Sequence, residues 1–397
     1  MKILLSAAEA SSDIHGAALL GALKKLKPDI DAFGVGGPAL AVAGLRAVVD
    51  ARELLAIGFS EIITKLPRIF RALDEIENAA RTEKPDIAVV IDYPDFHFRL
   101  AKRLGRLGIP VVYFIPPKVW IWRSGRVGML KRYFKKLLCI LPFEEDFYRV
   151  QDVDAVYVGN PLVQALPLDM TRADARRRLS LRDDDVVVAL LTGSRMSEYR
   201  GHIRLFARAA RAAAAKAGGA KKLIALMPFP ATADLKTQVM AGLMENAVRD
   251  AGPDVELRVS QGNSAECLVA ADAALVKSGT ATLEAGVLGC PHAVVYNATC
   301  ITQLIFKYFI RWKGPVGLVN LVHGWKPGDR NVSREFIRGD VTVEKISGEL
   351  HALLTDESRR REISGAMRDV RRAVLGPDGA APPALCAARE LLKVLDQ

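Results

Sequence analysis

Short apolar runs alternate with longer stretches of helical spacing along this chain, a rhythm that restricts it to parallel sheets covered by helices on both faces. The spacing predicts strands over 2–6, 87–91, 111–114, 137–141 and 155–158, with helices over 15–26, 66–81 and 96–107. The segment 160–174 breaks the rhythm with Pro161, Pro167 and an arginine-rich helix start, and reads as an interdomain linker. Strands are predicted again over 186–191, 222–227, 255–259, 273–276 and 293–296, with helices over 198–217, 235–250, 280–288 and 301–312. Residues 342–397 read as helix alone. A chain of 397 residues exceeds one ordinary core. The expectation is an α/β protein with two doubly wound, Rossmann-like parallel-sheet domains, 1–165 and 166–365, facing a central cleft. Helices over 366–397 are expected to pack back on the first domain or on a partner subunit. Ligands of such sheets bind beyond the carboxyl ends of the strands, so chemistry is sought there.

Charge and cysteine usage narrow the partners. Lys and Arg (56) outnumber Asp and Glu (45) for a net charge of +11, which favours nucleic acid, acidic lipid or a phosphorylated substrate. Five scattered cysteines without a C-x-x-C pair argue against a zinc ribbon or disulfide framework and for buried thiols in a reducing compartment. Glu9 and Asp13 interrupt the apolar start too early for a signal peptide, and no apolar run approaches the ~18 residues of a spanning helix. A cytoplasmic protein whose membrane contact is peripheral is expected.

Four strand ends carry polar clusters. After 2–6 comes Ala8-Glu9-Ala10-Ser11-Ser12-Asp13-Ile14-His15-Gly16, equally an anion-holding helix start or a helix capped by Ser12 or Asp13. After 87–91 comes Asp92-Tyr93-Pro94-Asp95-Phe96. Asp95 reads as the cap of the next helix. Asp92 lies too far upstream for that and is the candidate general base, because burial raises a carboxyl pKa into a useful range. After 186–191 comes Thr192-Gly193-Ser194-Arg195, then Glu198: either a tight turn offering Ser194 and Arg195 to a phosphate, or a surface arginine beside a helix start. The Gly-Lys-Ser/Thr ending of a Walker loop is absent. After 273–276 comes Lys277-Ser278-Gly279-Thr280-Ala281-Thr282-Leu283-Glu284. This reads as a diphosphate site at a helix N-terminus, with Glu284 one turn on to accept from ribose hydroxyls; the bland alternative is a capping box with a surface Glu. The nest paired with a carboxylate tips the reading to a nucleotide. Gly34-Val35-Gly36-Gly37-Pro38 lacks dinucleotide spacing and reads as a turn. Asp-x-Asp triplets at Asp29, Asp152 and Asp183 precede strands instead of ending them, so no metal is expected.

All four tryptophans fall in two acid-free segments. Residues 117–136 hold Trp120 and Trp122 among seven basic residues; 301–326 hold Trp312 and Trp325 with Phe306, Tyr308 and Phe309. A third segment, 57–73, interleaves apolar residues with Lys65, Arg68 and Arg71. Such stretches suit a water–lipid interface, could hold RNA by stacking, or are solvated basic faces over core aromatics.

Taken together, these clusters resemble the lipid-A-disaccharide synthase family, inverting glycosyltransferases of the two-domain GT-B fold. The resemblance also rests on Val119-Trp120-Ile121-Trp122-Arg123, Leu141-Pro142-Phe143-Glu144 and Val158-Gly159-Asn160-Pro161-Leu162, and it spans nearly the whole chain. It implies UDP-2,3-diacylglucosamine as donor and 2,3-diacylglucosamine 1-phosphate (lipid X) as acceptor. The implied products are a β-1,6 disaccharide phosphate and UDP, formed without a cofactor. Asp92 and Arg195 match the family's essential aspartate and arginine. Ser194, Ser278, Gly279, Thr280, Glu284, Asn320 and Glu335 are implied at the UDP-sugar site. Glu9, Ser11, Ser12, His15, Trp120, Arg123 and Asn160 are implied on the acceptor side of the cleft. A homodimer working on the cytoplasmic face of the inner membrane is also implied, with no nucleic acid. The sequence departs from the family pattern at Ser12 for Gly, His97 for Asn, Pro116 and Lys118 for Ser and Gln, Asn160 for His and Thr192 for Pro. Alternatives open at this point are another GT-B transferase or UDP-sugar epimerase, a UDP-sugar sensor, and a basic nucleic-acid-binding protein.

Overall fold

The computed structural model describes residues 1–54, 59–121, 124–217, 222–297, 314–324, 326, 329–375 and 381–395. The chain divides into two compact units, Met1–Pro161 with Leu375–Gln397, and Leu162–Val374.

The first unit holds seven parallel strands: β1 (Lys2–Ala7), β2 (Asp31–Gly36), β3 (Arg46–Asp50), β4 (Ile87–Ile91), β5 (Val111–Phe114), β6 (Lys136–Cys139) and β7 (Ala155–Tyr157). Their order is β3-β2-β1-β4-β5-β6-β7. Ile3, Leu5 and Ala7 of β1 and Ile87, Val89 and Ile91 of β4 pack into the core on one face, while Leu4, Ala88 and Val90 pack on the other. Burial on both faces is why these strands read as nearly continuous apolar runs. The C-terminal helix Pro383–Leu395 packs against the helix Ala10–Leu26, burying Ala387, Ala388 and Leu391, and Glu390 pairs with Lys136 at 3.1 Å.

Sequence spacing did not predict β2 or β3. Gly34 in β2 has φ +142°, and a Cβ there would sit 2.1 Å from the Leu5 carbonyl oxygen, so the glycine that weakens the strand pattern is what lets β2 lie against β1. At the sheet edge, β3 leaves Arg46 and Ala47 exposed and so lacks a continuous apolar run.

The second unit repeats the winding with β8 (Val186–Leu191), β9 (Leu223–Phe229), β10 (Val255–Gln261), β11 (Ala273–Lys277), β12 (His292–Tyr296) and β13 (Glu335–Ile337), ordered β10-β9-β8-β11-β12-β13. Only three residues long, β13 was too short for a pattern. The predicted helix over 301–312 lies outside the described residues. Cys139, Cys267, Cys290 and Cys386 are buried free thiols.

Strand order reverses between β1 and β4 in one unit and between β8 and β11 in the other. At each reversal the strands end in register, with Ala7 opposite Ile91 and Leu191 opposite Val276. The turns that follow therefore emerge side by side. Four of the polar clusters read from the sequence are brought together as two pairs by this topology alone.

Candidate functional site

In the first unit, Asp92 and Tyr93 leave β4 with φ of +52° and +46°, left-handed values that cost about 1–3 kcal/mol each in residues other than glycine. Several contacts hold this turn. The Tyr93 amide donates to Asp92 Oδ1 at 2.9 Å and the Asp92 amide to the Phe114 carbonyl at 3.1 Å. The Asp92 carbonyl accepts from the Tyr113 hydroxyl at 2.9 Å and from His97 Nδ1 at 2.5 Å.

Burial pushes the Asp92 carboxyl pKa upward, opposed by the Tyr93 amide, Lys118 and His15. Burial also lowers the His15 pKa, and the charge of Asp92 works the other way. Asp92, His15 and Lys118 thus share one electrostatic neighbourhood, and Glu9 is close enough to raise the Tyr93 phenol, after the larger effect of burial. In the sequence Lys118 counted as one basic residue of a patch and as a departure from the family pattern, with no role at the site. Its position just past β5, the strand beside β4, was the signal that could have singled it out.

The neighbouring serines differ from expectation. The helix begins at Ala10, not at 15, and its first turn contains an exposed Ser11 and a buried Ser12. Neither Ser12 nor Asp13 caps it. Ser12 Oγ has no hydrogen-bond partner among the described residues, and Asp13 instead accepts from the amides of Gly37, Ala39 and Leu40, fastening the next helix start. Asp95 is no cap either: it sits in the first turn after Tyr93 and pairs with Arg126. Asn160 Nδ2 donates to the Ile140 carbonyl at 3.0 Å. Arg123 lies outside the described residues.

In the second unit a pocket of about 480 Å³ opens where β8 and β11 end, lined by Gly193, Ser194, Arg195, Lys277, Gly279, Thr280 and Glu284 among others. Gly193 has φ +114°, and a Cβ there would fall 2.4 Å from Glu198 Oε2. That close approach lets Glu198 fold back on the turn. Its Oε2 accepts from the amides of Ser194 at 2.8 Å and Arg195 at 3.3 Å, and its Oε1 pairs with Lys277 Nζ at 2.7 Å. Burial pushes the Glu198 pKa up, but Lys277 and those amides together bring it below the usual range. The Arg195 backbone is therefore fixed while its side chain is exposed. Glu198 and Lys277 stood inside the motifs but received no role from the sequence; only their pairing across β8 and β11 gives them one.

Opposite this turn, the helix Thr280–Val287 starts at Gly279. The amides of Thr280 and Ala281 in its first turn have no partners within the helix, whereas the Thr282 amide donates to the Gly279 carbonyl at 3.2 Å. The Ser278 amide donates to the Val295 carbonyl at 2.9 Å and its hydroxyl to the Val316 carbonyl at 2.8 Å, so both are engaged by the protein. Glu284 lies on the pocket wall. Burial alone raises its pKa, and its carboxylate has no hydrogen bond among the described residues.

Asn320 and Glu335 do not line this pocket. Asn320 Nδ2 donates to Glu335 Oε1 at 2.8 Å and to the Ser333 carbonyl at 2.9 Å, and its Oδ1 accepts from the Ser333 amide. Glu335 accepts from the amides of Val316 at 2.8 Å and Gly317 at 2.9 Å. The pair clamps the segment that receives the Ser278 hydroxyl, and so sits one layer behind the helix start.

The sequence profile described as lipid-A-disaccharide synthetase matches residues 3–379. The lipid-A-disaccharide synthase of Myxococcus xanthus is 39% identical over 391 residues, covering 98% of this chain and 97% of the relative, and that of Syntrophus aciditrophicus is 36% identical over 394, covering 99% and 98%. This chain belongs to the lipid-A-disaccharide synthase family. Membership makes it a UDP-sugar-dependent glycosyltransferase of lipid A biosynthesis. Its fold is similar to that of the UDP-GlcNAc 2-epimerase of Neisseria meningitidis (TM-score 0.60, 14% identity, covering 100% of this chain and 99% of the other). The fold is likewise shared with MurG of Acinetobacter baumannii (0.54, 13%, 100% and 98%). Epimerases and transferases share the GT-B architecture, so the fold does not choose between them; the match in sequence to lipid-A-disaccharide synthases does.

Within this family member one expectation about lipid contact is corrected. Trp120 is 8% exposed, packs edge-on against Phe143, and donates from Nε1 to Glu144 Oε1 at 3.1 Å, so it is an interior residue and not an interfacial ring. Trp122, Trp312 and Trp325 lie outside the described residues, as does the start of 57–73. Later in that stretch Ala72 and Leu73 are buried, while Phe70 is exposed beneath the Arg99 guanidinium. Among the described residues no helix is long and apolar enough to cross a membrane.

The Trp120–Glu144 contact carries its own prediction. Burial raises the Glu144 carboxyl from 4.5 to about 7, against the pull of the Trp120 and Leu141 donors. An acid whose folded pKa is raised stabilises most below its unfolded pKa, and that contribution is lost as pH rises through the folded one. Through this group the unfolding free energy from denaturant titration is expected to fall by on the order of 3 kcal/mol at most between pH 5 and 8, against an opposite slope from the buried His97 and His292 rings, whose pKa values burial lowers to about 4. A Glu144→Gln protein should lose this falling component; identical slopes in the two proteins would contradict the assignment.

Proposed function

We propose that this chain condenses UDP-2,3-diacylglucosamine with 2,3-diacylglucosamine 1-phosphate to the β-1,6 disaccharide 1-phosphate and UDP. The unit Leu162–Val374 would hold the donor, and the unit containing Asp92 the acceptor. One observation carries the reading: a helix start, an exposed Arg195 and a partly buried Glu284, whose carboxylate has no hydrogen bond among the described residues, line the same pocket. A diphosphate suits the amides and the guanidinium, and a ribose supplies the hydroxyl donors that the Glu284 carboxylate lacks.

In this mechanism the acceptor 6-hydroxyl oxygen forms the new bond to the donor's anomeric carbon from the face opposite UDP. Its proton passes to Asp92, and the anomeric carbon–oxygen bond breaks with its electron pair leaving on UDP. Arg195, aided by the helix start at Gly279, stabilises the charge that grows on the departing diphosphate. A net charge of +11 and the acid-free segments 117–136 and 301–326 support work at an anionic lipid surface, on the cytoplasmic face of the inner membrane.

The test is incubation of purified protein with UDP-2,3-diacylglucosamine, with and without lipid X, followed by mass spectrometry and measurement of UDP. Disaccharide phosphate is expected only with both substrates. Absence of UDP release in both incubations would remove the proposal. An isomerised UDP-sugar would favour an epimerase.

A further inference from the structure

We propose that His97 is a positioning residue that sets the Asp92 turn, acting through hydrogen bonds from the buried side of the sheet; the inference rests on Asp92 being the base. His97 is fully buried, with its ring between β1 and the end of β4. Nδ1 lies 2.5 Å from the Asp92 carbonyl oxygen, and Nε2 lies 2.9 Å from Ser6 Oγ. A carbonyl oxygen can only accept, so the proton is on Nδ1. Nε2 is then the acceptor, and the Ser6 hydroxyl donates to it. This leaves a single neutral tautomer, in keeping with the burial that pushes the ring's pKa down to about 4.

What the ring holds is a strained backbone. Two consecutive non-glycine residues in the left-handed region do not persist unless their surroundings over-determine them. The Asp92 carbonyl is the group whose direction this conformation reverses, and it receives two donors, His97 Nδ1 and the Tyr113 hydroxyl. With the peptide pinned there, the Tyr93 amide is the only hydrogen-bond donor to the carboxylate among the described residues, and the carboxylate's direction follows from the turn. His97 does not approach the carboxylate through a hydrogen bond of its own; it acts through the main chain.

The two ring nitrogens can be separated by substitution. An asparagine places an amide nitrogen where Nδ1 stands, and a glutamine reaches only the Nε2 position. His97→Gln is therefore expected to lower kcat by about 100-fold, the loss typical of a reacting group displaced by about 1 Å, with KM for the UDP-sugar unchanged. His97→Asn should recover most of that turnover, to within about fivefold of the native enzyme, although it removes more of the buried ring. A purely structural role predicts the reverse order, because the smaller side chain leaves the larger cavity.

UDP binding by calorimetry and thermal unfolding accompany both variants. If His97→Gln fails to fold, His97→Asn still decides: kcat as low as that of Asp92→Asn overturns the inference. So does native kcat in a folded His97→Gln. The reading of Asp92 itself fails separately, if Asp92→Asn turns over normally whatever the His97 variants do.

Discussion

Asp92→Asn is expected to lower kcat by about 10³-fold, within the range general-base groups supply, while UDP still binds with native affinity. Asparagine preserves the shape of the side chain, and its amide oxygen can still accept from the Tyr93 N–H that Asp92 Oδ1 now receives. The backbone contacts from Tyr113, His97 and Phe114 do not involve the carboxylate and remain. What is lost is the ability to take a proton. Burial raises the Asp92 pKa, so in the native enzyme kcat/KM should fall on acidification at a pH above the ordinary carboxylate range. The direction follows from the need for the ionised form: below the pKa the base is already protonated. His15 and Lys118 are the charged neighbours that hold the limb from rising further. The residual activity of Asp92→Asn should lack this limb. Native turnover in a variant that binds UDP would take Asp92 out of the base role.

The second large effect is at Arg195. Arg195→Ala is expected to cost about 10²–10³ in kcat, the scale of losing one donor aimed at developing charge. Thermal stability should change little, because the Arg195 side chain is exposed and its backbone is held by Glu198 independently of the guanidinium. Arg195→Lys should recover only part of the rate, since an ammonium offers a point charge without the planar fork that fits a diphosphate. Steady-state kinetics with both substrates and a thermal melt distinguish these outcomes. Native kcat in Arg195→Ala would shift leaving-group stabilisation to the helix start and to Lys277, which now pairs with Glu198 at 2.7 Å.

The fold was legible because β1, β4, β5, β8 and β11 are buried on both faces and therefore mostly apolar. Where burial is one-sided or the chain must approach a neighbour closely, the signal faded, as in β3 at an edge and β2 at Gly34. The clusters at strand ends were legible too, because a parallel sheet presents its carboxyl ends to one side. Which side chain in a cluster does what was less so. Asp95 looked like the cap of its own helix and Asp13 was one of two candidate caps of its own; Asp13 fastens a different helix start and Asp95 pairs with Arg126.

Local sequence thus determined the alternation of strands and helices, the two-sheet class, the family, and the short polar segments that carry chemistry. Each of these depends on residues near one another in the chain, whose burial and backbone preference leave a periodic or compositional trace. Tertiary structure alone decided that Trp120 is an interior donor to Glu144, that Asn320 and Glu335 clamp a loop behind the pocket, that Lys277 meets Glu198 and that His97 supports Asp92. Except for His97 and Asp92, which meet across the end of β4, these are contacts between residues 15 to 79 positions apart. They are set by strand order and register, which no single stretch of the chain encodes.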